Sequence, residues 1–452
     1  MTSEDQEPSC IVNASPTKEL FISMLIRDIT LNDAIGDLID NSVDGALSLK
    51  PDKNYQGLSI KITINQDTFI IEDNCGGIPY EIARDYAFRF GRSISTPSIK
   101  GSVGQFGIGM KRALFKMGRK FEVKSKSKRS SFTLSVDVEE WEKSPDNWNF
   151  TFNELNVLRE NNPDFSDDEL GTIITVIELS NDVKDRFKLE NFIAELKEEI
   201  ELEHLANIDR GLKISINGID LDTHQLLIIN SDKFKPSYWE HTFPNGLKVK
   251  AVVGVSERDL KYGGWYLFCN ERMVLGPEQT GVSGWGARQP GQIPKYHGQY
   301  DRFRGYVYFD ANDTLLLPWN TSKNNMDVDS PTYRFVRQQM ITMMRPVIDF
   351  LNKLHTESSK PEPEEKPLQV SLDHSSTATI PVSRLFEQKT TLPQTFIYPT
   401  PTTQTRKPQD ITISYIRPDQ KVERAKKVLG VTSAKEVGER TFDYFYENEC
   451  EE

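Results

Sequence analysis

The chain has only four cysteines among its 452 residues (Cys10, Cys75, Cys269, Cys450), far apart and without a CxxC pair. Such spacing fits neither a disulfide framework nor a zinc site, and a reducing cytoplasm, or a nucleus in a eukaryote, is the expected location. No apolar run approaches the roughly 20 residues of a membrane-spanning helix. The opening MTSEDQEPSC lacks the basic and apolar pattern of a secretion signal. Excess positive charge is missing too: 55 Lys and Arg against 67 Asp and Glu give −12, which excludes indiscriminate coating of nucleic acid. The Walker pattern GxxxxGK[ST] is absent. The one glycine-rich loop follows no βαβ unit with an acidic residue about 20 positions on, so a Rossmann site is not supported either.

What is present organises the chain into more than one core, since domains run to roughly 100–200 residues. Residues 17–49 read as two helical pieces. The second, Leu31 to Leu47, carries Leu31, Ala34, Ile35, Leu38, Ile39, Val43, Ala46 and Leu47 on one apolar stripe. LSIKITI and TFIIED follow as paired strands, then a glycine-studded stretch from Gly91 to Gly109 leads into a helix over 108–117. Further strands are expected at FEVKSK, FTLSVDV and GTIITVIEL, a helix over 185–205, and a strand-rich region over 247–318. Ser330-Pro331 opens a long helix ending near Leu354. Residues 357–410 hold 8 of the 24 prolines amid Ser, Thr and charge, and read as a disordered linker. Beyond it, Gly430 ends one helix and Ser433 to Glu436 forms a capping box for the next, a unit small enough to need a docking partner.

Three constellations carry chemistry. Opposite the apolar stripe stand Asp33, Asp37, Asp40, Asn41 and Asp44. Like charges this close cost a helix a few tenths of a kcal/mol per pair. The face is either solvated or serves a divalent cation, which Mg²⁺ would meet with one or two protein oxygens plus phosphates and water. The strand TFIIED delivers Asp73 into Asn74-Cys75-Gly76-Gly77-Ile78, either an ordinary turn or a carboxylate aimed at a donor such as an adenine amino group. Gly104-Gln105-Phe106-Gly107-Ile108-Gly109 precedes Met110-Lys111-Arg112, placing backbone N–H groups at a helix start where anions bind.

Taken in order, DLIDNSVDGA, EDNCGGIP, GQFGIGMK and GTIITVIEL resemble the four ATP-site motifs of the GHKL superfamily, the group of gyrase, MutL proteins, histidine kinases and microrchidia (MORC) ATPases. The resemblance covers about residues 17–180. It implies an α/β class fold: a Bergerat-type sandwich over 17–205 after an N-terminal strap (1–16), with ATP and Mg²⁺ as ligands. It makes Asn41 the Mg²⁺ ligand, Asp37 the general base and Asp73 the reader of the adenine amino group. Gly77 backs the base, Thr172 stands at its side, and Gly104, Gly107 and Gly109 form the lid hinge and phosphate loop. Asp44, Ile78, Gln105, Phe106 and Met110 complete the implied nucleotide contacts.

Two positions depart from the family pattern. Asp37 stands where hydrolysing members carry Glu, a shorter arm that implies slow turnover unless the helix sits closer. Cys75 replaces the first glycine of the DxGxG turn. Residues 206–356 resemble, more weakly, a transducer domain, in which LLLPWNTSKNNMD would make Lys323 the γ-phosphate sensor; otherwise Lys323 is a solvent-exposed loop lysine. The implied function is a slow ATPase acting as an ATP-gated homodimeric clamp on DNA or a protein client. A non-hydrolysing interaction module and a protein kinase are the alternatives, although all six histidines (His204, His224, His241, His297, His355, His374) lie downstream of the site. Residues 411–452 form the docking unit of this scheme.

Charge is also segregated. Residues 84–129 hold thirteen Lys and Arg and two acids, while residues 137–170 hold eleven acids and two bases. The blocks either face each other or offer a surface to nucleic acid. The stretch Tyr296, Tyr300, Arg302, Phe303, Arg304, Tyr306, Tyr308 is either core strand or a base-stacking platform.

Overall fold

A computed structural model describes residues 16–91, 101–104, 107–222, 225–288, 293–361, 365–387, 392–400 and 412–450. Residues 1–15 of the expected strap (1–16), Gln105 and Phe106 lie outside the described residues. Two compact units divide the chain, Met1–Pro399 and Thr400–Glu452.

Thr17 caps α1 (Lys18–Arg27), and Thr30 opens α2 (Leu31–Leu49) through a capping box. The Thr30 hydroxyl accepts from the Asp33 amide while the Asp33 carboxylate accepts from the Thr30 amide, each at 3.1 Å. Asp33 therefore serves the helix start rather than a solvated acidic face. The apolar stripe of α2 is buried on a sheet of eight strands: β1 (Ser59–Ile64), β2 (Thr68–Asp73), β3 (Gly118–Lys126), β4 (Ser130–Asp137), β5 (Glu154–Val157), β6 (Gly171–Leu179), β7 (Lys213–Ile216) and β8 (Ile219–Asp220). Their order is β5-β4-β3-β6-β2-β1-β7-β8, antiparallel except for the β1–β7 pair. The helix α3 (Gly109–Met117) lies beside α2, with Ala113, Leu114 and Met117 in the same core. This is a mixed α/β sandwich.

After α4 (Glu190–Glu203) comes β9 (Leu227–Ile229), then a second sheet of β10 (Ser237–Thr242), β11 (Lys248–Val255), β12 (Gly264–Cys269), β13 (Arg272–Glu278) and β14 (Phe303–Asp310). Its order is β10-β11-β14-β12-β13, with β12 and β14 parallel. The long helix α5 (Pro331–Ser358) packs Tyr333, Val336, Met340, Met344 and Phe350 into its core. Phe303 and Tyr306 are buried here too, and the Arg304 guanidinium donates to the carbonyls of Asp301, Phe303 and Glu257. These aromatics are core rather than a stacking platform.

The expected linker is a correction. Residues 365–387 and 392–399 fold onto the second sheet. Glu357 caps a helix over Pro367–Ser375 by accepting from the Leu368 amide at 3.0 Å. Then β15 (Thr379–Pro381) pairs with β9, and Leu368, Leu372, Val382, Leu385 and Phe396 are buried. Pro367 starts a helix and Pro381 ends a strand, positions that tolerate proline. The second unit holds helices Asp419–Leu429 and Ala434–Glu449, joined through left-handed Gly430 (φ 67°) and the Ser433–Glu436 capping box. No helix among the described residues is long and apolar enough to cross a membrane.

Candidate functional site

The adenine-side motif is built by register. Asp73 ends β2 directly opposite Thr172, the second residue of β6, so both point toward α2 from adjacent strands. Ser42 of α2 donates to Asp73 Oδ2 at 2.7 Å, and the Cys75 amide donates to Oδ1 at 2.9 Å. Burial pushes the Asp73 carboxyl up, against those hydrogen bonds. The Ser125 hydroxyl accepts from the Ile78 amide at 2.8 Å and lies 3.0 Å from the Thr172 hydroxyl. The turn itself runs through Gly76 (φ 101°) and Gly77 (φ 68°), so the left-handed positions fall after Cys75 and a cysteine there is compatible. A Cβ on Gly77 would stand 2.0 Å from the Lys126 carbonyl oxygen, so only glycine fits.

The acidic residues of α2 are not a solvated face. Asp37 and Asp40 are 3% and 0% exposed. Arg112 of α3 donates to Asp37 Oδ2 at 2.9 Å, and Lys323 Nζ donates to Asp37 Oδ1 at 3.0 Å and to Asp40 Oδ2 at 2.7 Å. Arg272, the first residue of β13, donates from Nε to Asp40 Oδ1 at 2.8 Å. Burial would raise the Asp40 carboxyl, but Arg272 and Lys323 outweigh it and hold it at about 2. Burial lowers Lys323 as well, and the two aspartates more than reverse that. The repulsion expected along α2 is thus cancelled by three side-chain cations of the protein itself, without waiting for a metal. Lys323 is correspondingly not an exposed loop lysine: it is 6% exposed, in left-handed backbone (φ 55°).

Around these charges lies a cavity of about 430 Å³, lined by Asp37, Asn41, Asp44, Gly77, Ile78, Gly104, Gly107, Gly109, Met110, Lys111, Arg112 and Lys323. That is the size range of small-molecule sites. A smaller recess of about 50 Å³ adjoins it, reaching Asp73, Thr172 and Ser42 and sharing Asn41, Gly77, Ile78 and Met110. Asn41 is exposed to this space. Asp44 accepts from the amides of Val103 (2.7 Å) and Gly104 (2.8 Å), which ties the glycine loop to α2; burial nonetheless raises its carboxyl to about 6. Gly109 lets α3 approach closely, since a Cβ there would stand 2.9 Å from Asp37 Cγ. The start of α3 has no side-chain cap, leaving its N–H groups facing the cavity region as an anion would require. Lys111 donates to the carbonyls of Ala87 and Gly107, and burial lowers its ammonium to about 7.

Of the residues that the resemblance assigns to the nucleotide, all those within the described chain line one of the two spaces, while Asp33 and Asp40 of the acidic face line neither. The motifs give Asp40 no role of its own, and Arg112 and Arg272 were missed. Arg112 follows the glycine loop directly and was available to sequence reasoning; Arg272 is brought in from 232 residues away and left no local signal. The charge blocks pair with each other, through Lys120–Asp137, Lys126–Glu169, Lys128–Asp167 and Arg129–Asp164 contacts of 2.7–4.0 Å. No curated protein matches the chain. Residues 29–172 match the family model of histidine kinase-, DNA gyrase B- and HSP90-like ATPases.

Proposed function

From a chain whose residues 29–172 form an ATP-binding domain of the GHKL superfamily, we propose a Mg²⁺-dependent ATP switch that hydrolyses slowly and closes as a homodimer on a DNA or protein client. One observation carries this reading: Lys323, from a loop of the second domain, reaches between Asp37 and Asp40 on the helix of the first. A cation shared across two domains at the phosphate end couples their arrangement to a terminal phosphate that hydrolysis removes.

In this reading Asp73 and Thr172 read adenine from adjacent strands, with Gly77, Ile78 and Met110 around the base. Gly107 and Gly109 offer amides to the phosphates, Asp44 holds the loop by accepting from the Val103 and Gly104 amides, and Gln105 and Phe106 keep the nucleotide contacts that the resemblance implies. Asn41 is exposed to the cavity that Asp37, Asp44, Gly104, Gly107 and Gly109 also line, and its amide oxygen would fit Mg²⁺, which takes few protein ligands and several oxygens from phosphate and water. Bound there, the ion would neutralise phosphate charge as a Lewis acid.

Asp37 takes a proton from the water that attacks the terminal phosphorus as the bond to the ADP oxygen breaks. Both its oxygens are occupied here, by Lys323 and Arg112. Transfer of Lys323 to the phosphate frees Oδ1 for that water, so nucleotide arrival and base activation are one event. The close approach of α3 at Gly109 suits the short arm of Asp37.

Phosphate release by the full chain with Mg-ATP, together with a mass shift to dimer, is the expected result. Asp37→Asn should bind nucleotide and not turn over. Tight binding without any phosphate release, from parent and variant alike, would select the non-hydrolysing interaction module instead.

A further inference from the structure

The hairpin between β12 and β13 turns on Asn270 (φ 47°) and Glu271 (φ 70°), two residues in left-handed backbone. Such turns favour glycine at the second position, and a glutamate there is strained. The turn is held by contacts on all three of its consecutive residues. Asn270 donates to the Ser102 carbonyl at 2.9 Å and accepts from the Ala311 amide at 2.9 Å. Glu271 pairs with Arg210 and Lys53. Arg272 donates to Asp40 at 2.8 Å, to the Lys323 carbonyl at 3.0 Å and to Glu203 at 3.2 Å. One turn of the second sheet thus touches the glycine loop, the acidic helix and the lysine loop.

The helix is shaped to receive it. A Cβ on Gly36, in the interior of α2, would stand 3.2 Å from an Arg272 guanidinium nitrogen and 3.3 Å from a Glu203 oxygen. Glycine inside a helix is unfavourable, and here its missing side chain is where the guanidinium seats.

We propose that Arg272 is a positioning residue that keeps Asp40 compensated when Lys323 leaves it, and that it holds the Lys323 backbone so the ammonium can move between carboxylate and phosphate. The argument is one of charge. Asp40 is fully buried and has two cations on it, Lys323 and Arg272. If Lys323 moves to a phosphate, Asp40 stays in a low-dielectric site with Arg272 as its remaining cation. Without Arg272, Asp40 would retain Lys323, and the phosphate end would lose its mobile charge. The guanidinium fork serves both tasks at once, side chain and carbonyl, which a lysine at this position could not.

This rests on the reading of Lys323 as the phosphate contact, and the test separates the two. Turnover and the Kd of a non-hydrolysable ATP analogue are measured on the full chain with Mg²⁺, for the parent, Arg272→Met, and Arg272→Met combined with Asp40→Asn. Arg272→Met should lower kcat at least tenfold with analogue Kd within threefold of the parent. Adding Asp40→Asn, which removes the charge that traps Lys323, should restore kcat at least threefold, a rescue that a purely structural arginine would not show. Arg272→Met turning over like the parent, or no rescue in the pair, overturns the proposal. Should Arg272→Met not fold, Arg272→Lys carries the test: kcat lowered at least threefold at unchanged analogue Kd supports it, and parent-like kcat overturns it. A parent that neither binds the analogue nor releases phosphate would instead remove the functional reading itself.

Discussion

The two ends of the cavity are built on opposite plans. At one end Asp73, Thr172, Ser42, Ser125 and Gly77 come from strands and a helix of one sheet, and their hydrogen bonds run to neutral hydroxyls and amides. At the other end Asp37 and Asp40 meet Arg112, Lys323 and Arg272, and two of those cations arrive from the second sheet and the loop that follows it. The hydrogen bonds of the first end all lie among α2, the eight-stranded sheet and the turn after β2. The second end forms only where the second sheet and the loop after it pack against α2, so chemistry there would report on that packing. Recognition and reaction are therefore separable by mutation, and that separation can be attacked at either end.

The largest effect is expected at the shared end. Lys323→Met removes the cation proposed to move between the α2 carboxylates and the terminal phosphate, and should cut kcat on the order of 100-fold, the scale of losing one preorganised transition-state contact. Binding of the ATP analogue should change by only a few fold, since the recognition end is untouched. Equal losses in kcat and in affinity would erase the distinction between the ends.

At the neutral end, Asp73→Asn keeps shape and the Ser42 contact but replaces an acceptor oxygen with an amide nitrogen. A hydrogen bond to a charged group contributes about 1.5–3 kcal/mol, so analogue Kd should rise roughly 10- to 100-fold. The kcat at saturating ATP should stay within a few fold. Calorimetry with ATP and with GTP checks the assignment: the loss should fall on ATP. An unchanged Kd would place the base elsewhere.

The same contrast explains what was legible in the sequence. Asp73, Gly77 and Thr172 sit in strand and turn patterns whose meaning is local: alternation places Asp73 inward, and vicinal glycines mark the turn. The element types on either side followed too, because the α2 stripe and the β1–β2 alternation are strong periodic signals. The shared end was half legible. Asp37 and Asn41 stand on a helix face that the sequence leaves either solvated or serving a divalent cation, and neither alternative anticipates cations supplied by the protein itself. Burial came from Lys323 and Arg272, whose approach depends on how two sheets dock, and no window of sequence encodes that. The segment Pro367–Pro399 failed for a related reason. Its apolar residues, Leu368, Leu372, Ile380, Val382, Leu385 and Phe396, are too dilute to predict a core and suffice only because β9 and Phe350 of α5 are there to receive them.

The smallest expected effect tests the charge balance that the shared end depends on. Glu203 lies 3.2 Å from Arg272, yet burial raises its carboxyl to about 8 against that attraction, with Glu199, Asp40 and Asp33 adding to the rise. Protonated near neutral pH, it leaves Arg112, Lys323 and Arg272 facing Asp37, Asp40 and Asp44 without a fourth negative charge beside the incoming triphosphate. A carboxyl raised in the fold stabilises fully below its unfolded value near 4.5, and that contribution is lost as pH rises through about 8. His204 runs the other way: burial lowers it to about 4, so its contribution is complete above its unfolded value of 6.5 and fades as pH falls toward 4. Lys111, also lowered, adds stability as pH rises above about 7. The parent alone therefore shows a mixture. Comparison with Glu203→Gln, which keeps a neutral acceptor for Arg272 and leaves His204 and Lys111 in both proteins, isolates the one carboxyl. Between pH 6.5 and 8 the parent should lose about 1–2 kcal/mol relative to the variant, at 1.36 kcal/mol per pKa unit, read as a melting-temperature difference that grows with pH and levels off above 8. A difference flat from pH 5 to 8 would mean that Glu203 is ionised beside Arg272 and adds a further negative charge to the cluster at the phosphate end.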